Sequence, residues 1–238
     1  MMPLTDQVLI TAPNGGSALL FCRDAYATLA GIGRQDNLCT DPPYVMRTDG
    51  GGKYRAARKH LDKIAQEGLD QGFDLSILDP LQFPHVAVFC HNDQLHDVLP
   101  RLAGCYHRYA LCTWHKLNAQ PLANKHFRPD AEVWLHAWLP DHEPQGDIHA
   151  KSRVWTGAAP RGDDRHDHPT PKPLELMQKI VANLPPGSVV DPFMGTGTTG
   201  VAAIMAGRAF IGIEHNPKHF NTAVTRIQQV AATMEQAA

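Results

Sequence analysis

Residues 188–200 read Ser-Val-Val-Asp-Pro-Phe-Met-Gly-Thr-Gly-Thr-Thr-Gly, and residues 209–214 read Ala-Phe-Ile-Gly-Ile-Glu. Val189 and Val190 end an apolar strand, Asp191 to Gly197 form a glycine-rich turn, Thr198 to Ala206 follow a helical pattern, and Ala209 to Ile213 make a second apolar strand. A strand, a helix and a second strand in this order are the repeating unit of an α/β fold. Glycines at 195 and 197 lack a β-carbon and allow a ligand to approach the backbone closely. A helix start nearby favours negative ligand groups such as a carboxylate. Glu214 ends the second strand, where a carboxylate accepts hydrogen bonds from ribose hydroxyls.

Gly195, Gly197 and Gly200 also satisfy G-x-G-x-x-G, the dinucleotide pattern. Two features argue against a nicotinamide site. The turn opens with Asp191-Pro192-Phe193 rather than a glycine directly off the strand, and few residues follow Glu214 to build a second mononucleotide half. A phosphate-binding P-loop is excluded, because no Lys-Ser or Lys-Thr closes the glycine run.

A second signal lies near the start of the chain. Gln35 to Thr40 reads as a short strand, and Asp41-Pro42-Pro43-Tyr44 runs off its end. Proline fixes φ, carries no N–H and restricts the residue before it, so this loop is stiff and its carbonyls are not consumed by a helix. A rigid pair of acceptors beside a flat ring suits a planar substrate bearing an exocyclic amine.

Together these segments resemble the DNA amino-methyltransferases that use S-adenosylmethionine. Residues 41–44 match their catalytic loop, 191–200 their cofactor loop and 212–214 the acidic strand end. His168-Pro169-Thr170-Pro171-Lys172-Pro173-Leu174 matches the segment leading into the helix before the cofactor loop, and Trp114 to Pro121 resembles their W-x-K-x-N-x-x-P stretch. The catalytic loop comes first and the cofactor loop last, an order that looks like the family's beta group. The resemblance implies a Rossmann-like class I methyltransferase fold in circularly permuted order, with an open, mostly parallel twisted sheet flanked by helices. It implies one methyltransferase domain over 1–238, with short target-recognition segments at 46–72 and 139–166. Ligands in such sheets sit at the carboxyl ends of strands at the topological switch point, so the loops at 41–44 and 191–197 need only be adjacent there.

An adenine N6 or cytosine N4 amine is a poor nucleophile because its lone pair is delocalised into the ring. By the resemblance, Asp41 and the Pro42 carbonyl accept hydrogen bonds from that amine, Pro43 stiffens the loop, and Tyr44 stacks on the base, a contact worth roughly 1–3 kcal/mol. A base inside a duplex is out of reach and must be flipped out. On the cofactor side, Phe193 lies beside the methionine end, Asp191 contacts its amino group, and Thr170, Lys172 and Thr198 are candidates for its carboxylate. Asp24 stands where many relatives carry an acid near the adenosine, and it also suits a helix cap. Adenine N6 is favoured over cytosine N4 because the loop begins with Asp rather than Ser. The non-enzyme alternative is a nucleic-acid-binding protein that kept the fold and lost activity.

Composition bounds these readings. The chain has 238 residues, 43% of them apolar, enough for one sizeable α/β domain. The net charge of −2 means that any DNA-binding face must be local. The candidates are Lys53, Arg55, Arg58 and Lys59 after the catalytic loop, and Arg161 and Arg165 in the polar stretch 140–167, which reads as loop. Double-stranded DNA is the expected partner, with a homodimer as a way to extend a small target-reading surface. No apolar run reaches membrane-spanning length, and the start lacks the basic flank and apolar core of a signal peptide, so cytoplasmic residence is expected. Five scattered cysteines fit reduced thiols. The Cys/His spacings between 90 and 115 contain no C-x-x-C pair and read as strand ends rather than a metal framework.

Overall fold

The computed structural model describes residues 6–45, 71–119, 127–162 and 171–237. Its strands are β1 (Gln7–Thr11), β2 (Ser17–Phe21), β3 (Asn37–Thr40), β4 (His85–Cys90), β5 (Arg108–Lys116), β6 (Ala131–Trp138), β7 (Val154–Gly157), β8 (Val189–Asp191) and β9 (Ala209–Ile213). The α-helices are α1 (Ala25–Ile32), α2 (Leu95–Cys105), α3 (Leu174–Asn183), α4 (Thr198–Met205) and α5 (Pro217–Ala237).

The strands form one sheet in the order β1-β2-β9-β8-β3-β4-β6-β5-β7. From β2 through β4 every pairing is parallel. β6 runs antiparallel to both β4 and β5, β7 is parallel to β5, and β1 closes the other edge as an antiparallel partner of β2. Successive side chains of a strand point to opposite faces, and β4 divides accordingly. Ala87 and Phe89 join a core with Met177, Ile180, Val201, Phe220 and Ile227 from α3, α4 and α5. Val86, Val88 and Cys90 join a second core with Leu29 of α1 and Val98 and Leu102 of α2. Helices thus cover both faces, and all six residues of β4 are buried. Each fully buried Val, Leu or Phe stabilises this sandwich by roughly 1.5–3 kcal/mol.

β8 is the strand at which the winding reverses. The chain goes from β8 through α4 to β9 on one side, while β3 and then β4 lie on the other. The carboxyl ends of β2, β9, β8, β3, β4, β5 and β7 and the start of β6 therefore share one edge of the sheet.

One helix forms against local propensity, and one strand departs from expectation. α2 continues through Pro100 and buries Val98 and Leu102 against β4 and β6, so packing overrides the local cost of an interior proline. The stretch 140–167, expected to be loop, contains β7, which pairs with β5 and lays the Trp155 ring near Trp114 at 6.1 Å between centroids.

Candidate active site

The glycine turn is built from the strand end outward. Asp191, the last residue of β8, is buried, and its Oδ1 accepts from the Thr40 hydroxyl at 2.6 Å and from the Phe193 N–H at 3.1 Å. Its Oδ2 accepts from the Thr199 hydroxyl at 2.6 Å. Burial pushes this carboxyl up to about 6, against the pull of those donors. Asp191 thereby ties the end of β3, the turn and the first turn of α4 into one unit. Gly195 and Gly197 hold φ of 52° and 83°, the left-handed region that favours glycine. Glu214, buried at the end of β9, accepts from the Gly195 N–H at 3.0 Å and from the Asn216 N–H at 2.7 Å. Arg226 of α5 braces the far side, donating to the Thr196 carbonyl at 2.6 Å and the Thr198 hydroxyl at 3.2 Å.

The catalytic-loop candidate leaves β3 next to this turn, joined through the Thr40–Asp191 bond. Pro42 is buried, and the Pro43 carbonyl accepts from Gln94 Nε2 at 3.2 Å. Tyr44 folds back so that its hydroxyl donates to Asp41 Oδ1 at 2.7 Å, and burial with the Asp41 charge keeps the phenol protonated. Asp41 Oδ2 is bound by the Lys172 ammonium. Lys172 also faces Glu132 Oε2 at 3.4 Å, and Glu132 Oε1 is bound by Lys116 from the end of β5. The Lys172 ammonium lies over the rings of Phe89 and Tyr44, at 4.8 and 5.4 Å from their centroids. Two carboxylates and two ammonium groups thus alternate along one line.

The electrostatics follow from burial. Desolvation lifts Asp41 above the ordinary carboxylate range, with Lys172 opposing and Glu132 assisting. Burial acts the same way on Glu132, but two lysines reverse it and hold this acid below its usual value. Lys172 loses solvation, yet the two carboxylates keep it charged and raise it. The Asp41 side chain retains 23% exposure against 5% for Lys172, so the acid and not the lysine reaches the cleft.

Several expected contacts take a different form. Lys172, expected near a cofactor carboxylate, spends its ammonium on Asp41 and Glu132. Asp191, expected on a cofactor amino group, has three donors from its own chain. A β-carbon on Gly197 would meet Ala223 at 2.8 Å, and one on Gly200 would meet Ile227 at 2.6 Å, so these glycines also make room for helix α5. Thr198 opens α4 with its hydroxyl toward Arg226. Asp24 caps α1 through the Ala27 N–H at 2.8 Å. Phe193 is half-buried and packs edge-on to Tyr26 at 6.0 Å. Arg161 is exposed after β7 and donates to the Asn118 carbonyl at 2.7 Å, while Asn118 itself holds Ala159 by two bonds. Thr170, Lys53, Arg55, Arg58, Lys59 and Arg165 lie outside the described residues. Sequence reasoning missed Glu132, Thr40 and Gln94. Lys116 sat inside a recognisable stretch without an assigned task.

Residues 107–225 match the family model described as DNA methylase, the N6/N4 type. The chain belongs to that family. Among curated relatives, it is 27% identical to the type II methyltransferase M2.DpnII of Streptococcus pneumoniae over 93% of this chain and 94% of that protein. It is 45% identical to the DNA adenine methyltransferase YhdJ of Escherichia coli K12 across 67 residues, 27% of this chain and 23% of YhdJ. Among solved structures, M1.HpyAVI in complex with SAM superposes with a TM-score of 0.65 at 24% identity, covering 88% of this chain and 98% of that one. The fold is that of the class I DNA methyltransferases.

Proposed function

We propose that the protein methylates the N6 amine of an adenine in DNA, with S-adenosylmethionine as the methyl donor. One observation carries this reading: the Asp41 loop and the glycine turn leave the carboxyl ends of adjacent strands at the switch point, joined by the Thr40–Asp191 hydrogen bond.

The residues around the turn fit such a donor. Glu214 is a buried carboxylate at the end of β9, placed for a ribose, and the Phe193–Tyr26 pair offers an apolar wall. Bound there, S-adenosylmethionine supplies an electrophilic methyl group on a sulfonium. Asp41 accepts a hydrogen bond from the amine, and the Pro42 carbonyl, which accepts no hydrogen bond among the described residues, serves the second N–H. Placement and fixed dipoles supply most of the rate gain in such a transfer. The proton leaves to Asp41. Tyr44 stacks on the base once it is flipped from the duplex.

Adenine is favoured over cytosine N4 by the Asp-Pro-Pro-Tyr form of the loop and by the likeness to YhdJ, a DNA adenine methyltransferase. For target reading we look to 46–72 and 139–166. Val45 and Gln71, which flank residues 46–70, are joined by a β-bridge beside the catalytic loop. A homodimer would enlarge the DNA-facing surface. The free cysteines and a DNA substrate accord with cytoplasmic residence.

The test is transfer of labelled methyl to mixed-sequence DNA, followed by mass spectrometry of the nucleosides. N6-methyladenine is the expected product. Asp41→Ala is expected to lower the rate by on the order of 10³-fold while calorimetry still registers cofactor binding. Label transfer that survives the substitution would refute Asp41 as a catalytic residue, and N4-methylcytosine as product would reverse the choice of base.

A further inference from the structure

Glu132 stands at the start of β6, where the strand's packing has no use for an acid. Its carboxylate is held by two cations, Lys116 on Oε1 and Lys172 on Oε2. Lys172 in turn binds Asp41, which is the group that must accept the substrate amine. An ammonium group carries only donors, and every lone pair of Asp41 that it occupies is lost to the incoming amine. The position of the Lys172 charge between its two partners therefore matters to the reaction.

The geometry points to Glu132 as a positioning residue: with Lys116 behind it, Glu132 draws the Lys172 ammonium toward β6 and so governs how freely Asp41 accepts the amine and its proton. This inference rests on the methylation reading above. During transfer the N–C bond to the methyl forms as the S–C bond breaks, and the bonding pair stays on sulfur. The amine nitrogen gains the positive charge and passes its proton to Asp41, from which it reaches solvent. As Asp41 becomes neutral, Lys172 keeps Glu132 as counter-charge. A buried ammonium left without one would cost several kcal/mol. Glu132 thus keeps the site electrically paired before and after the proton moves.

The groups facing Asp41 are Tyr44 on its own loop, Lys172 ahead of α3, Glu132 on β6, Asp191 on β8, Cys39 on β3 and Cys90 on β4. Burial keeps both thiols protonated, and Tyr44 is neutral, so the charges that tune Asp41 are Lys172, Glu132, Lys116 behind it, and Asp191.

The experiment is the pH profile of kcat for the full chain on DNA, with cofactor affinity by calorimetry alongside. In Glu132→Gln, Lys172 settles wholly on Asp41. The rate is expected to fall by about tenfold or more, with the acid limb displaced to lower pH and cofactor affinity unchanged. In Lys116→Met, Glu132 has only Lys172 to hold, and the acid limb is expected to move to higher pH. Glu132→Asp, which keeps the charge, should restore the wild-type limb. A merely structural role would lower activity without moving the limb in opposite directions. Limbs that do not move, or move the same way in both variants, overturn the proposal. If Glu132→Gln does not fold, Lys116→Met and Glu132→Asp decide it. A wild-type chain that transfers no methyl would overturn the methylation reading itself, an outcome distinct from an active wild type with unmoved limbs.

Discussion

Lys172 carries a charge into a place where a charge is costly. Removing an ammonium group from water costs several kcal/mol, and only close carboxylates and further contacts repay it. Here Asp41 and Glu132 do so, with the faces of Phe89 and Tyr44 adding cation–π attraction. Breaking such a cluster on one side leaves the remaining charges unpaired. Lys172→Met is therefore expected to lose about 3 kcal/mol of folding stability, read as a lower urea midpoint, because the partly buried Asp41 then loses its counter-ion beside Glu132. A midpoint within about 0.5 kcal/mol of wild type would show that water already screens the cluster. At this scale Asp41 and Tyr44 were legible in the sequence, since a stiff acid-proline-proline-aromatic turn is a local pattern. Glu132 was not. No spacing relates residue 132 to 41, 116 or 172, and their meeting depends on β6 lying between β4 and β5.

The elements were legible wherever pattern and packing agree. The βαβ unit of β8, α4 and β9 follows from two apolar runs around a glycine turn, and α5 begins at Pro217 behind the Asn216 cap, whose side chain accepts from the Lys218 N–H at 2.9 Å. The glycines were read for ligand approach. Gly195 and Gly197 also hold a positive φ, and Gly197 and Gly200 create the room that α5 fills. α2 and β7 were not foreseen, because an interior proline and a polar context mask them and only tertiary contacts sustain them. β4 and β6 are further joined by a pair that depends on pH. His85 Nδ1 donates to the His142 carbonyl at 2.8 Å, and its Nε2 lies 3.0 Å from His136 Nδ1. That carbonyl can only accept, so His85 Nε2 is an acceptor, and a proton added there would set two N–H groups against each other. Burial lowers His85 from 6.5 to about 4, and it takes His136 in the same direction. The unfolded chain therefore binds more protons in this window. The contribution of His85, about 3 kcal/mol, is complete above pH 6.5 and is lost as the pH falls toward 4. Urea midpoints are expected to drop across that interval, and His85→Gln, though less stable at pH 7, should show a shallower drop. A variant slope equal to that of wild type would remove His85 from the account.

At the scale of the whole molecule, a chain with a net charge of −2 must bind a polyanion through local charge. The sheet supplies the place. Its carboxyl edge carries the Asp41 loop, the Val45–Gln71 bridge beside it and the loop of Arg161. Lys172 and Lys116 do not contribute to that surface, because both are neutralised inside the cluster. We propose that Lys53, Arg55, Arg58, Lys59, Arg161 and Arg165 supply the phosphate contacts. Each phosphate neutralised contributes about 0.9 to the slope of log K against log salt concentration. Arg55→Glu with Arg58→Glu is therefore expected to weaken binding uniformly across DNA sequences and to flatten that slope by about 1.8, leaving cofactor affinity untouched. If the slope stays at its wild-type value, these two arginines make no phosphate contact, and the electrostatic grip belongs to the loop of Arg161.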